Sequence, residues 1–155
     1  MSDTYEEIHV SIGQIRTGSG AQKLRANLGS CVGIGFLWPQ MQRCALAHCL
    51  LPNGSELLED SPAKYVNFVI PELFKAIGAV SEQRKQIDVI ISGGGNMLSQ
   101  AINGKTIGDL NVQSAMDELH KHRLVPIHCD TGGSFSRQII IDCANYSHII
   151  RRIEQ

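Results

Sequence analysis

The stretch Val32-Gly-Ile-Gly-Phe-Leu-Trp38, joined through Pro39-Gln-Met-Gln-Arg43 to Cys44-Ala-Leu-Ala-His-Cys-Leu-Leu51, decides the fold. Its first part is an apolar run whose glycines allow close backbone approach, the pattern of a buried strand. Its last part is a second strand, stopped by Pro52-Asn-Gly54. Two strands across so short a connection predict an antiparallel hairpin. Period-two alternation sets His48 on one face with Cys44, Leu46 and Leu50, and sets Cys49 on the other.

Working outward, Ile8, Val10 and Ile12 alternate with polar residues up to Gly13, a further strand pattern, and Gly18-Ser-Gly20 marks a turn. Ser61-Pro62 predicts a helix start, because proline suits the first helical position. Val66, Val69, Ile70, Leu73, Phe74 and Ile77 then share one helical face, with Gly78 as the stop. Pro71 inside that pattern predicts a kink or restart. Ile87 to Ile91 forms a strand running into Ser92-Gly-Gly-Gly95. Asp109 is positioned to cap a second helix with Val112, Ala115, Met116 and Leu119 inward. Strands are expected at Leu124 to Cys129, Gln138 to Cys143 and Tyr146 to Arg151. The expected architecture is one domain over residues 1–155, a mixed α/β (α+β) sandwich with largely antiparallel sheets and two main helices.

Composition narrows the function classes. Of 155 residues, 43% are hydrophobic and 19% charged, the balance of a chain that packs a core. The net charge of −1 comes with no run of Lys or Arg, which argues against nucleic acid as a partner. No apolar run approaches bilayer length, and MSDTYEEIHV carries acids where an export signal carries bases. Five cysteines without a CxxC pair suit a reducing cytoplasm better than a secreted disulfide framework.

Leu28-Gly-Ser-Cys31 is the strongest local signal. A Cys after a Gly-Ser turn has backbone N–H groups near its sulfur, able to support a thiolate and a tetrahedral oxyanion. Its free thiol pKa of roughly 8.5 means attack at neutral pH needs a base or a dipole. His48, 17 residues on, is the candidate base, since the hairpin folds its strand back beside Cys31. The alternative is a structural Cys beside a hydrogen-bonded core His. A metal site from Cys44, His48, Cys49, His128 and Cys129 is disfavoured, because adjacent strand residues face opposite ways. Ser92-Gly-Gly-Gly95-Asn96 and Asp130-Thr-Gly-Gly133 with Arg137 carry turn chemistry. They lack the order of a phosphate-binding loop, and no second Asp-Thr-Gly supports an acid-protease site.

In family order, Leu28-Gly-Ser-Cys-Val-Gly-Ile34, Ala47-His48 with Leu51-Pro52, Lys64-Tyr65 to Ile70-Pro71, Gly94-Gly-Asn-Met97, Ile107-Gly-Asp-Leu-Asn-Val112 and Asp130 to Gly133 with Arg137 resemble the CheD family of chemoreceptor glutamine deamidases. The resemblance implies an α/β sandwich similar to the deamidase domain of cytotoxic necrotizing toxins. It also implies a Cys31 nucleophile, a His48 base and an oxyanion site at Ser30 and Cys31. Gly29, Asn96 and Thr131 would support the site, with no metal and no organic cofactor. Cytoplasmic domains of methyl-accepting chemoreceptors would be the substrates and a CheC-type phosphatase a further partner, in the cytoplasm and without membrane insertion. One departure stands out: the family's third catalytic position, a Thr six residues before the Cys, is Arg25 here. Its side chain only donates, so a backbone carbonyl near residue 25 would have to orient His48. Otherwise the chain is a weakened enzyme serving as an interaction module.

Overall fold

The computed structural model describes residues 4–96 and 104–153; Met97 lies outside them. Among these residues the strands are β1 (Glu6–His9), β2 (Ile15–Gly18), β3 (Gln22–Leu28), β4 (Val32–Trp38), β5 (Arg43–Cys49), β6 (Asp88–Gly93), β7 (His128–Thr131), β8 (Ser136–Asp142) and β9 (Ser147–Ile153). The two main helices are α1 (Val66–Ile77) and α2 (Ile107–Lys121). The strands build one sheet in the order β1-β3-β8-β9 and another in the order β2-β5-β4-β6-β7. Among these strands β1/β3 and β6/β7 pair parallel and the remaining pairs are antiparallel; an isolated parallel bridge joins Leu51 and Tyr65. The mixed α+β sandwich is therefore the observed architecture.

The β4/β5 hairpin is its centre. Both strands are buried almost throughout, and β4 lies between β5 and β6. Alternation divides their side chains between two cores. Val32, Ile34, Phe36, Ala45, Ala47 and Cys49 pack with Val69, Leu73, Ala115 and Leu119 of the helices. Leu37, Cys44, Leu46 and Cys31 pack with Leu24, Leu28, Ile139 and Ile141 of the other sheet. The layers are thus sheet, sheet and helices, and both helices cover the same face of the five-stranded sheet.

Several element boundaries differ from the sequence-based expectation. Helix α1 starts at Val66 with Tyr65 as its cap residue, not at Ser61-Pro62. The intervening backbone is used elsewhere: the N–H groups of Leu50 and Leu51 both donate to Lys64 O, and Ala63 N–H donates to Gly13 O. The helix runs through Pro71 without a restart, with Pro71 on its exposed side. The N-cap of α2 is Thr106, whose hydroxyl accepts from Asp109 N–H at 3.1 Å. Asp109 stands three residues in and accepts Thr106 N–H in return, a capping box. Met116, expected inward, is exposed. Ile12 is exposed as well, because β1 ends at His9 and the chain turns at Ser11 to Gln14. Strand β7 begins only at His128: Pro126 offers no N–H, and Arg123 adopts φ 61°.

Candidate active site

Cys31 and His48 lie at one end of the hairpin. Gly33 is the register partner of His48 on β5 and of Ser92 on β6, so the three form a row across the sheet. Cys31 immediately precedes β4, two residues before Gly33, and belongs to the inter-sheet core. His48 shares that face with Cys44 and Leu46, while Cys49 turns to the helix side. The structure therefore brings the thiol and the imidazole to one face and one end of adjacent strands.

The imidazole has a defined tautomer. His48 Nδ1 lies 2.9 Å from Val10 O. A carbonyl only accepts, so Nδ1 carries the hydrogen and Nε2 is the bare acceptor. Nε2 is buried and meets no hydrogen-bond partner among the described residues. Burial pushes the His48 pKa down, partly offset by the Val10 bond, and His9 lowers it further. Burial also pushes the Cys31 thiol up, while its own backbone N–H pulls it back. Both shifts favour the uncharged forms, thiol and neutral imidazole.

Arg25 does not orient His48. Its guanidinium points to Glu7, Nε to Oε1 2.7 Å, without an aligned N–H. Its carbonyl accepts Val10 N–H at 2.7 Å, one link behind the carbonyl that His48 uses. Parallel pairing of β1 with β3 causes this, since it sets His9 against Arg25 and leaves the next peptide, Val10, to bridge onward. Val10 was not a candidate from sequence, because a backbone acceptor has no residue-type signature.

The remaining predicted positions form supporting loops. Gly94 N–H donates to Cys31 O at 2.8 Å and Gly95 N–H to Gly29 O at 2.9 Å, so the triple-glycine turn props the Leu28–Cys31 segment. That turn is propped in its own right by the 130–133 loop. Gly132 N–H donates to Gly93 O, and Asn96 N–H donates to Gly133 O. Asn96 also links to α2, accepting the Thr106 hydroxyl and donating to Asp109. Thr131 is the register partner of Gly93, one strand away from β4. Arg137, 1% exposed, anchors this stack: Nη2 to Gly132 O is 2.7 Å and Nε to Asp130 Oδ1 is 3.3 Å. Burial pushes the Asp130 carboxyl up, but Arg152 and Arg137 outweigh it and hold it below the ordinary value.

Two further polar residues are buried: Ser92, which opens the Ser92-Gly-Gly-Gly95-Asn96 stretch, and Asn111, which sequence did not single out as a site residue. Ser92 Oγ has no partner among the described residues, on the face shared with His48. Asn111, completely buried on α2, donates to Ser30 O at 2.9 Å and to Leu50 O at 3.0 Å. A signal for Asn111 existed: it lies four residues before Ala115, on the stripe expected to be apolar.

Chemically, a thiol, a neutral imidazole acceptor and backbone N–H groups at a rigid strand end are the parts of a thiol–imidazole acyl-transfer site. The family model of CheD chemotactic sensory transduction matches residues 50–152. The chain is 38% identical to the probable chemoreceptor glutamine deamidase CheD of Bdellovibrio bacteriovorus, over 82% of this chain and 83% of that protein. It is 34% identical to the probable chemoreceptor glutamine deamidase CheD 2 of a Ruegeria species, over 95% and 92%. With its counterpart from Methanococcus vannielii the identity is 30%, over 94% of each chain. The chain belongs to the CheD family.

Proposed function

We propose that this protein deamidates glutamine side chains of methyl-accepting chemoreceptors, with Cys31 as nucleophile and His48 as base. The observation that carries the reading is the state of His48. Its Nδ1–H is committed to Val10 O, and its buried Nε2 is left without a partner on the face that holds Cys31. A buried unpaired acceptor costs about 1–3 kcal/mol, which a proton-accepting role accounts for.

The steps follow from the groups present. His48 Nε2 takes the Cys31 thiol proton as sulfur attacks the side-chain carbonyl carbon of glutamine. The oxyanion is met by the Cys31 N–H, with Ser30 N–H as the second candidate donor. As the tetrahedral intermediate collapses, the C–N bond breaks and His48 returns the proton to the departing ammonia. Water, deprotonated by His48, then attacks the thioester, releasing glutamate and restoring the thiol. Gly29, Asn96 and Thr131 support the site through the loop stack. No step calls for a metal or organic cofactor.

In this reading the protein works in the cytoplasm, where thiols stay reduced and the receptor glutamines are accessible. A CheC-type phosphatase is a further partner. Among the described residues no helix is long and apolar enough to cross a membrane. The alternative of a weakened binding module draws on Arg25, while the Val10 carbonyl, as an acceptor for His48 Nδ1–H, supports the enzyme reading.

The test is incubation with a purified chemoreceptor cytoplasmic fragment carrying glutamine at its modification positions, following ammonia and the Gln-to-Glu mass change. Wild type converts the fragment and Cys31→Ala does not. Full turnover by Cys31→Ala overturns the reading.

A further inference from the structure

We propose that Asn111 is a positioning residue for Cys31, its side-chain amide locking the Ser30–Cys31 peptide so that the Cys31 N–H faces the sulfur and the oxyanion formed beside it. The inference rests on the reading of Cys31 as nucleophile and extends it to a residue outside the Cys–His pair.

The geometry is direct. Nδ2 of Asn111 donates to Ser30 O at 2.9 Å and to Leu50 O at 3.0 Å. Both acceptors are carbonyls, so the orientation of the carboxamide is fixed by its partners. Ser30 immediately precedes Cys31, and Leu50 comes two residues after His48. One amino group therefore ties the start of β4 and the end of β5 to helix α2, beside both members of the pair.

A peptide unit is planar and trans, with its C=O and N–H pointing in opposite directions. Anchoring Ser30 O therefore fixes the direction of the Cys31 N–H. The next peptide is pinned too, because Gly94 N–H donates to Cys31 O at 2.8 Å. With both flanking peptides held, Cys31 cannot swing its N–H away without breaking a buried hydrogen bond. The same N–H is the group that stabilises the Cys31 thiolate against burial.

Packing does not explain the choice of Asn. The residue is 0% exposed, and its Oδ1 has no partner among the described residues. An apolar side chain on this inward stripe would avoid the unpaired Oδ1 but would strip Ser30 O and Leu50 O of the donor that Asn111 supplies. Keeping a half-satisfied carboxamide makes sense where its donor is required. Ser114, one turn further along, supplies the contrast: its hydroxyl donates to Pro52 O at 2.8 Å, anchoring the same helix to the same segment without touching the Ser30 peptide.

The experiment compares Asn111→Asp, Asn111→Ala, Asn111→Ser and Ser114→Ala with wild type and Cys31→Ala, below the lowest melting temperature of the set. Asn111→Asp keeps the shape but turns an oxygen toward two carbonyls. Three readouts are taken: kcat and KM on the chemoreceptor cytoplasmic fragment, the pH profile of iodoacetamide alkylation at Cys31 followed by peptide mass, and the melting temperature. The Asn111 variants are expected to lose at least about tenfold in kcat with KM within about twofold, as for a transition-state donor set out of line. Their Cys31 alkylation profile moves to higher pH. Ser114→Ala lowers the melting temperature but keeps kcat and the alkylation profile. Wild-type kcat and profile in the Asn111 variants, with Cys31→Ala inactive, overturn the inference and leave the proposed function standing. So does Ser114→Ala reproducing the kinetic loss. Turnover by Cys31→Ala removes the function reading itself.

Discussion

The backbone carbonyl of Val10 accepts the Nδ1–H of His48 at 2.9 Å, while the Val10 N–H donates to Arg25 O at 2.7 Å. One peptide-bonded residue thus carries the link from β3 to the imidazole. The orienter of a catalytic histidine needs geometry and an accepting lone pair, and a main-chain carbonyl supplies both. The Arg25 side chain is free to pair with Glu7 at the surface.

Arg25→Thr therefore changes kcat by no more than about twofold, the scale of a surface substitution. Its cost in stability is at most about 1 kcal/mol, because the Glu7 pair is partly exposed. Steady-state deamidation assays and urea unfolding check both. A rate rise of tenfold or more would mean that residue 25 limits the native enzyme.

In the proposed mechanism, activity follows the neutral form of His48. Burial lowers its pKa below the ordinary 6.5, the Val10 bond opposing and His9 assisting. The acid limb of kcat/KM should accordingly have its midpoint below 6.5. The same group links pH to stability. As pH falls through 6.5 the unfolded chain takes up a proton that folded His48 refuses, so stability drops until the folded-state value is passed. His48→Asn keeps a donor near the Nδ1 position for Val10 O but has no Nε2. It should fold, lose on the order of 10²–10⁴ in turnover, and lack this part of the acid destabilisation.

Gly93 has φ +103°, and a Cβ there would stand 2.2 Å from Cys31 O. Gly93→Ala combines left-handed strain with a clash against backbone that cannot swing aside. A stability loss of about 3 kcal/mol or more is expected. Turnover by the folded fraction should fall as well, because relief of the clash displaces Cys31. Thermal melting paired with activity per folded molecule measures the two effects.

Arg137→Met removes a buried guanidinium that holds Gly132 O and Asp130. Breaking a buried pair typically costs about 3–5 kcal/mol. Asp130 keeps Arg152 at 2.9 Å, so the lower end applies. The Asp130 contribution is present at neutral pH and is lost as pH falls through its lowered carboxyl pKa. Denaturant unfolding at neutral pH and at pH values below the ordinary carboxylate range should show the wild-type-minus-variant gap closing on acidification.

Much of the fold was legible because local chemistry and tertiary need coincided. The Val32–Trp38 strand, the Gly78 stop and the faces of His48 and Cys49 all follow from period and turn residues. The failures fall where distant backbone claims a segment. Residues 61–65 carry a helix-start signature, yet their carbonyls and amides are spent on Leu50, Leu51 and Gly13. Asp109 has the chemistry of a cap, but Thr106 is the residue at the turn and Asp109 serves it from the third position.

By itself the sequence nominated Cys31 after a Gly-Ser turn and placed His48 on the returning strand and on its face, because hairpin length and period-two alternation are local properties of the chain. Only the tertiary structure decided what serves that pair. The contacts of His48, Asn111 and Arg137 run through the carbonyls of Val10, Ser30, Leu50 and Gly132, which lie just past β1, just before β4, just past β5 and in the 130–133 loop, far apart in sequence. A main-chain acceptor is present at every residue, so no residue type announces which one will be used. The packing of two sheets and a helix around the strand ends makes that choice.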